Sequence, residues 1–361
     1  MKAVIFAGGV GTRLWPVSRR KSPKQFEKIV GEKTTLQLAV ERLLPEFKPE
    51  DIYVSTGAAY TEMVAAQIPF VPTENIIGEP VKKDVGPAVA YVMGVLAKKF
   101  PNEPVIILWS DHLVKETKKF KHIIRVSGEL VKKDPNKIIF IGQQARFASD
   151  NLGWIEMGEN VKTMEEVSFR AFHGFKYKPD AELAKTYFAS GHHCWNLGYF
   201  VSTPQFIFTL FERFAPHIHR LVVDIISSKG KANYNKIFLQ KYTEMPEINF
   251  DNAVIEQIDN GNALVVVDDI GWSDVGAWEA LKEALEKNPD DNVTQGDMYV
   301  DGCKDNLIYN YQNSKMIVAV DLDGLLVVNT DDVLLVAKKT SVAKIKKIVE
   351  NFKGTEHEQL T

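Results

Sequence analysis

Cysteine is scarce in this sequence: Cys194 and Cys303 are the only two among 361 residues. Two cysteines build no disulfide framework, so a reducing, cytoplasmic compartment is expected. No stretch approaches the roughly 18 consecutive apolar residues of a membrane span. The opening MKAVIFAGG also lacks the apolar core of a signal peptide, so no membrane partner is expected. An excess of one charge is missing too. The formal net charge is −3, which argues against general nucleic-acid binding, since that calls for a basic domain. Zinc spacing is absent: His192, His193 and Cys194 are adjacent, with no fourth ligand at zinc spacing. No internal repeat is strong enough to assert.

Two phosphate-binding motifs are also lacking where the sequence invites them. Residues 6–26, FAGGVGTRLWPVSRRKSPKQF, follow an apolar, β-branched run that reads as a buried strand. They hold no Gly-Lys-Ser/Thr, which excludes a Walker A loop. Leu14 stands where a dinucleotide fingerprint needs its third glycine. What is there is a strand that ends in glycines, followed by Arg13, Arg19, Arg20, Lys21 and Lys24 with no acidic residue among them. Glycines let backbone N–H groups approach an anion and the cations neutralise it, so the stretch reads as a phosphate holder.

Hydrophobic content of 45% and charged content of 25% describe a soluble globular chain. Its length suggests one large domain and a smaller one. Residues 52–56, 105–109 and 137–142 read as strands, and helical patterns cover 35–47, 60–67, 87–100 and 120–132. This alternation predicts an α/β fold, a Rossmann-like, mostly parallel sheet with helices on both faces. Ligands then sit at the carboxyl ends of the strands, where the glycines, Ser110-Asp111 and Gly142 fall. Further on, 153–158 alternates, and 169–178 is an aromatic, basic strand candidate whose aromatics suit a core. Residues 180–190 and 204–214 are helical, 218–242 mixes helix and loop, and Asp251 is a plausible cap of a short helix. A strand at 263–267 precedes a helix ending near 287. The polar NPDDN at 288–292 marks a boundary. Two domains are expected: 1–287, and a small β-rich, β-helix-like 288–361 with strands at 316–321, 325–329 and 333–337 and a terminal helix.

The stretch AGGVGTRLWPVSRRKSPKQF resembles the signature of the sugar-nucleotide pyrophosphorylase family. Trp15, Ser18 and Lys24-Gln25-Phe26 make it similar to the bacterial mannose-1-phosphate guanylyltransferase branch. The likeness continues, in order, at Gly78-Glu79-Pro80, Gly86-Pro87-Ala88, Ser110-Asp111-His112, Trp195-Asn196-Leu197-Gly198, Asp251 to Glu256 and Trp272 to Gly276. The resemblance implies a GT-A-like nucleotidyltransferase fold in its short, single-function form. It implies that GTP and α-D-mannose 1-phosphate give GDP-mannose and diphosphate, with Mg²⁺ as cofactor. The same chemistry on another hexose 1-phosphate or nucleotide, and a binding-only homologue, are the alternatives. Retention of Arg13, Lys24, Asp111 and Asp274 together argues against the last.

The implied roles fit an in-line attack on an α-phosphorus, where positioning and charge neutralisation do most of the work. Ala7, Gly8, Gly9, Gly11, Thr12 and Arg13 would hold the triphosphate, with Pro80, Gly86 and Ser110 also facing the nucleotide. Arg13 and Lys24 are the catalytic cations, Lys24 bridging the α-phosphate and the sugar phosphate. Asp111 and Asp274 are the expected Mg²⁺ ligands; the other reading makes Asp111 a helix cap or turn residue and Asp274 a cap of the following helix. Glu79 would read guanine, whose N1–H and N2–H₂ one carboxylate accepts together; the other reading leaves it facing solvent beside Pro80. Gly153, Glu156, Lys178, Asn196, Gly198 and Asp251 would form the sugar phosphate site. Two departures bear on substrate identity: Tyr177 replaces the glutamate of Phe-x-Glu-Lys-Pro, and Lys83-Asp84-Val85 replaces an Arg-Asn-Thr run. The β-rich tail offers a surface for a homodimer.

Overall fold

A computed structural model describes all residues except Val10 and Arg20, and Thr12 and Ala343 in their backbone only. The chain forms two compact units. One comprises Met1–Gly8, Arg42–Trp109 and Lys115–Ile270; the other comprises Gly9–Glu41, Ser110–Val114 and Gly271–Thr361. This is not the single division near 287 that composition suggests. The reason lies in the second unit's core, where Leu14, Trp15 and Val17 of the signature loop are buried with Trp278, Leu307, Leu326 and Val328.

In chain order the first strands are β1 Lys2–Phe6, β2 Ile52–Gly57, β3 Ile76–Glu79, β4 Val105–Trp109, β5 Leu113–Val114, β6 Ile138–Gln144, β7 Gly153–Met164, β8 Val167–Lys176, β9 His193–Ser202, β10 Ala263–Val267 and β11 Trp272–Ser273. Nine of them form the first unit's sheet, in the order β3-β2-β1-β4-β9-β6-β10-β8-β7. The pairs β2/β3, β1/β2, β1/β4 and β6/β10 are parallel. β9 runs antiparallel to β4, β6 and β7, and β8 is antiparallel to β7 and β10. The sheet is therefore mixed, not mostly parallel. The local signal matches: β1 and β4 are continuous apolar runs covered on both faces, whereas β7 and β8 alternate and pair as a long hairpin.

Helices Val85–Lys99, Pro204–Phe214 and Pro216–Ser227 bury their apolar faces in the same core as the sheet. Phe140 stacks on Phe172 at 4.9 Å between ring centroids. The aromatics of β8 thus serve the core, as their sequence suggests. The stretch expected to mix helix and loop does so: helices Pro216–Ser227 and Tyr234–Glu244 flank a turn segment at 228–233, the first opened by a proline at its first turn. Asp251 does not cap the short helix Phe250–Ala253; Asn249 does, accepting from the Asn252 N–H at 2.7 Å.

In the second unit β5 and β11 pair antiparallel. Six more strands follow: β12 Val293–Gln295, β13 Met298–Asp301, β14 Leu307–Asn310, β15 Ile317–Val320, β16 Leu325–Asn329 and β17 Leu334–Lys338. β12, β14 and β16 form one parallel ladder edged by antiparallel β17, and β13 and β15 form another. Asparagines stitch the turns: Asn292 Oδ1 accepts from Asn306 N and Nδ2 at 3.1 and 2.8 Å, and Asn306 Oδ1 accepts from Leu325 N at 2.8 Å. Such polar turns hide β12 to β14 from apolar-run reasoning.

Candidate active site

The signature loop is fastened at both ends of its basic run. Trp15 is buried; its indole N–H donates to the Leu360 carbonyl at 2.8 Å, and its own carbonyl accepts from Trp278 Nε1 at 3.0 Å. A short turn, Lys24–Phe26, is pinned by buried Phe26. Lys24, only 7% exposed, reaches Asp111 Oδ2 with its Nζ at 2.7 Å. Gly11 shapes this contact. Its φ of +68° favours glycine, and a Cβ there would lie 2.6 Å from Lys24 Cδ. The Lys24 stem thus runs directly over the glycine.

The cations expected to crowd the phosphates divide differently. Arg19 makes a bidentate pair with Asp332, 2.6 Å to each oxygen, so it braces the fold. Arg20 and the Thr12 side chain lie outside the described residues. Lys21 and Arg13 are exposed. Among the described residues, chain neighbours aside, no heavy atom lies within 4 Å of where a Cβ would stand at Gly8 or Gly9.

Asp111 and Asp274 lie beside a two-residue ladder: β5 pairs Leu113 with Ser273 and Val114 with Trp272, so Asp111 precedes one strand of it by two residues and Asp274 follows the other directly. Burial pushes the Asp111 carboxyl up, but the Lys24 ammonium and His112 outweigh it and hold it below the usual carboxylate range. His112, unassigned by sequence, accepts from Trp272 Nε1 at 3.1 Å through Nδ1. Its Nε2 lies 3.9 Å from Asp111 Oδ1. Beyond Asp274, Val275 is fully buried at a φ of +38°, a strained value for a β-branched residue. At Gly276 a Cβ would lie 3.0 Å from Arg13 Nη2 and 3.2 Å from Asp274 Oδ2, so guanidinium and carboxylate flank the same glycine. Among the described residues no cluster of three metal-ligating side chains forms. A pair of aspartates can meet magnesium's need, because phosphate oxygens and water complete its shell. The residues present fit that ion.

In the first unit, Glu79 ends β3 and does not face solvent unpartnered. Oε1 accepts from Ser55 Oγ at 3.0 Å and Oε2 from the Tyr242 hydroxyl at 2.9 Å. Burial pushes its carboxyl up, and the two hydroxyls oppose that. Ser55 and Tyr242 carry no motif; a buried serine in the strand IYVST is the one available hint. Ala7 is tied into the sheet, its N–H to Ser55 O at 2.7 Å and its carbonyl to Thr56 Oγ1 at 2.8 Å. Gly86 gives its N–H to Ile248 O at 2.9 Å, and a Cβ there would meet that oxygen at 2.6 Å. It therefore serves close packing. Pro80 is half-buried and Ser110, in the second unit, is buried.

The sugar candidates fall into a group and an outlier. Asn196 Nδ2 donates to Asp251 Oδ1 at 3.3 Å, and Gly198 N donates to Asn196 Oδ1 at 3.0 Å. Gly153 lies opposite Asn196 in the β7/β9 ladder. Gly198 has no room for a side chain, since a Cβ would sit 2.2 Å from Trp109 Nε1. Burial and the charge of Glu256 push the Asp251 carboxyl up to about 6, with Lys178 acting the other way and Asp84 adding to the rise. Lys178 itself lies over the Tyr177 ring, 5.1 Å from its centroid. Glu156 is the outlier. It pairs with His193 and alternates with Ile155, which puts its exposed side chain on the face opposite Asn196.

The model of the family described as Nucleotidyl transferase matches residues 2–291. The chain is 32% identical over 361 residues to mannose-1-phosphate guanylyltransferase 2 of Escherichia coli O157:H7, covering 97% of this chain and 73% of that protein. It is 31% identical over 356 residues to a mannose-1-phosphate guanylyltransferase of Salmonella muenchen, at 97% and 73% coverage. Among solved structures it resembles one from Thermus thermophilus, called there a mannose-1-phosphate geranyltransferase. That likeness has a TM-score of 0.84 and 26% identity, over 98% of this chain and 99% of the other. The chain thus belongs to the Nucleotidyl transferase family.

Proposed function

We propose that this chain is a mannose-1-phosphate guanylyltransferase. A phosphate oxygen of α-D-mannose 1-phosphate attacks the α-phosphorus of GTP, the α–β bridging bond breaks, and diphosphate leaves with the electron pair. GDP-mannose is the other product. The observation that carries the reading is the Lys24–Asp111 contact at 2.7 Å: a buried cation beside an ionised carboxylate, reached by a glycine-rich loop. The names of the relatives support guanine and mannose as the base and sugar.

In this reading the backbone of Gly8 to Thr12 and Arg13 hold the triphosphate. Lys24 neutralises charge gathering on the α-phosphate, a group whose loss typically costs about 3–4 kcal/mol of barrier. Asp111 and Asp274 would hold Mg²⁺, which when bound supplies positive charge to the phosphate oxygens. Glu79 reads the Watson–Crick edge of guanine. Asn196 and Asp251 accept and donate to mannose hydroxyls beside Gly153 and Gly198, and Lys178 meets the sugar phosphate. Residues 1–287 carry this chemistry, and 288–361 form β-helix-like rungs that support the signature loop. The outward apolar face of β13 and β15, with Tyr299, Met316, Val318 and Val320 exposed, supports a homodimer. Two free cysteines support a cytoplasmic location. Among the described residues no helix is long and apolar enough to cross a membrane.

A second reading, another hexose 1-phosphate as substrate, is favoured by Tyr177 and by Asp84, whose charge reaches Asp251. Diphosphate release from a panel of nucleoside triphosphates and sugar phosphates, with and without EDTA, separates the two. GTP with mannose 1-phosphate is expected to give the highest kcat/KM, abolished by EDTA. A higher value with another sugar phosphate selects the second reading, and no turnover with any pair overturns both.

A further inference from the structure

The Glu79 carboxylate receives one hydroxyl on each oxygen, from Ser55 at 3.0 Å and from Tyr242 at 2.9 Å. The two donors arrive from different parts of the first unit. Ser55 lies on β2, next to β3, and Tyr242 is 163 residues further along the chain. Tyr242 is itself immobilised. Its side chain is fully buried, its ring lies edge-on to Tyr91 and Phe238, and the Tyr91 hydroxyl is bonded to that of Tyr234 at 3.0 Å.

An ionised carboxylate oxygen has two lone-pair sites. With one hydroxyl on each oxygen, the described residues leave each oxygen a further lone-pair site. Two parallel open acceptors match two parallel N–H donors, the pattern of guanine N1–H and N2–H₂. Adenine offers a donor beside an acceptor, and hypoxanthine keeps N1–H but lacks the amino group. Burial favours the protonated form of Glu79, which would turn one acceptor into a donor and mismatch guanine. The hydroxyls work against that.

We propose that Tyr242 is a specificity-determining positioning residue, which with Ser55 holds the Glu79 carboxylate as a fixed pair of acceptors for guanine. This rests on the reading of Glu79 as the base-recognising residue. Tyr242 takes no part in the phosphate chemistry, so its loss acts on nucleotide KM and not on kcat.

The test measures kcat and KM for GTP and ITP in the wild type and in Tyr242→Phe, Ser55→Ala and Glu79→Gln. Circular dichroism and thermal unfolding confirm that each variant folds. A hydrogen bond to a charged acceptor is worth roughly ten- to a hundredfold in binding, so the wild type is expected to prefer GTP over ITP by about that factor. Tyr242→Phe is expected to raise the GTP KM about tenfold with kcat within about twofold, and to shrink the GTP/ITP preference. Ser55→Ala should shift it the same way and serves if the tyrosine variant does not fold. A GTP/ITP preference that survives in Tyr242→Phe and Ser55→Ala but collapses in Glu79→Gln overturns this inference and leaves the Glu79 reading standing. A preference that survives in Glu79→Gln as well overturns both. An equal fall of kcat with both nucleotides in Tyr242→Phe also overturns it, because that is the mark of a general structural role.

Discussion

Lys24 and Asp111 form a 2.7 Å ion pair in which the lysine is buried and the aspartate partly so. The pair keeps the carboxylate ionised and the ammonium anchored at the same time. In the proposed reaction both partners have other work, the lysine on phosphate and the aspartate on a cation. Lys24→Met preserves the stem and removes the charge. We expect kcat to fall about 10²- to 10³-fold while GTP still binds. The free protein should bind Mn²⁺ more tightly, because the competing ammonium is gone. Steady-state kinetics and calorimetric Mn²⁺ titration check the two halves; unchanged kcat would remove Lys24 from the chemistry.

Gly11 tests whether the Lys24 stem needs its track. Alanine there takes on a φ of +68° and a Cβ 2.6 Å from Lys24 Cδ and 2.7 Å from Cγ. The backbone cost is about 1–2 kcal/mol. Gly31 is a control with a similar φ of +61° and nothing within 4 Å of its Cβ. Both alanine variants should lose similar stability in thermal unfolding. Gly11→Ala alone should lose about tenfold or more in kcat, because only there does the catalytic lysine have to move.

The parts of the site legible in the sequence are those whose partners are local or repeated in a motif. The strand-to-glycine passage, Lys24, Asp111 and the alternation of strands and helices all announce themselves within short windows. What stays hidden depends on distant partners. Arg19 reads as one more phosphate cation, yet it is spoken for by Asp332, 313 residues away. Glu79 reads as open to a ligand or to solvent, yet both oxygens already hold hydroxyls from Ser55 and Tyr242. Glu156 groups with Asn196 by its place in the family pattern, but a strand's two-residue alternation sends them to opposite faces. The mixed sheet escapes a sequence reading because the insertion of β9 between β4 and β6 is a tertiary fact. A composition change at 288–292 marks a real turn, but cores are defined by packing, and Trp15 packs with the C-terminal strands.

Lys282 shows how firmly that C-terminal core is tied. It is 3% exposed, and its ammonium reaches Asp305 Oδ1 at 2.7 Å and the Pro289 carbonyl at 2.9 Å, with Glu286 also in contact. Truncation opens a cavity and takes the ammonium from Glu286, while Asp305 keeps its pair with Lys339. Lys282→Ala is expected to cost about 3–5 kcal/mol in urea unfolding. Lys282→Met, which keeps the stem, should cost less. Equal losses in both would mean that charge alone accounts for the effect.

Asp251 carries a pH dependence whose sign is fixed by its environment. Burial and Glu256 raise its carboxyl from 3.8 to about 6, opposed by Lys178 and reinforced by Asp84. Between those values the folded state binds more protons than the unfolded state, so stability falls as pH rises through this window. Below it both states are protonated and nothing is lost; above it the full cost is present, at most about 3 kcal/mol. Asp251→Asn keeps an oxygen for Asn196 and removes the titration. The variant should match the wild type near pH 4 and become more stable than it above about pH 6, which urea unfolding at about pH 4.5, 5.5 and 7 measures. Catalysis should move the opposite way. Above about pH 6 the wild-type carboxylate accepts two hydroxyl protons from the sugar, and its KM for the sugar phosphate should drop as pH rises through that value. In Asp251→Asn the KM should be about tenfold higher near pH 7 and flat across the window. A wild-type profile as flat as the variant's would remove Asp251 from the sugar site while leaving its effect on stability intact.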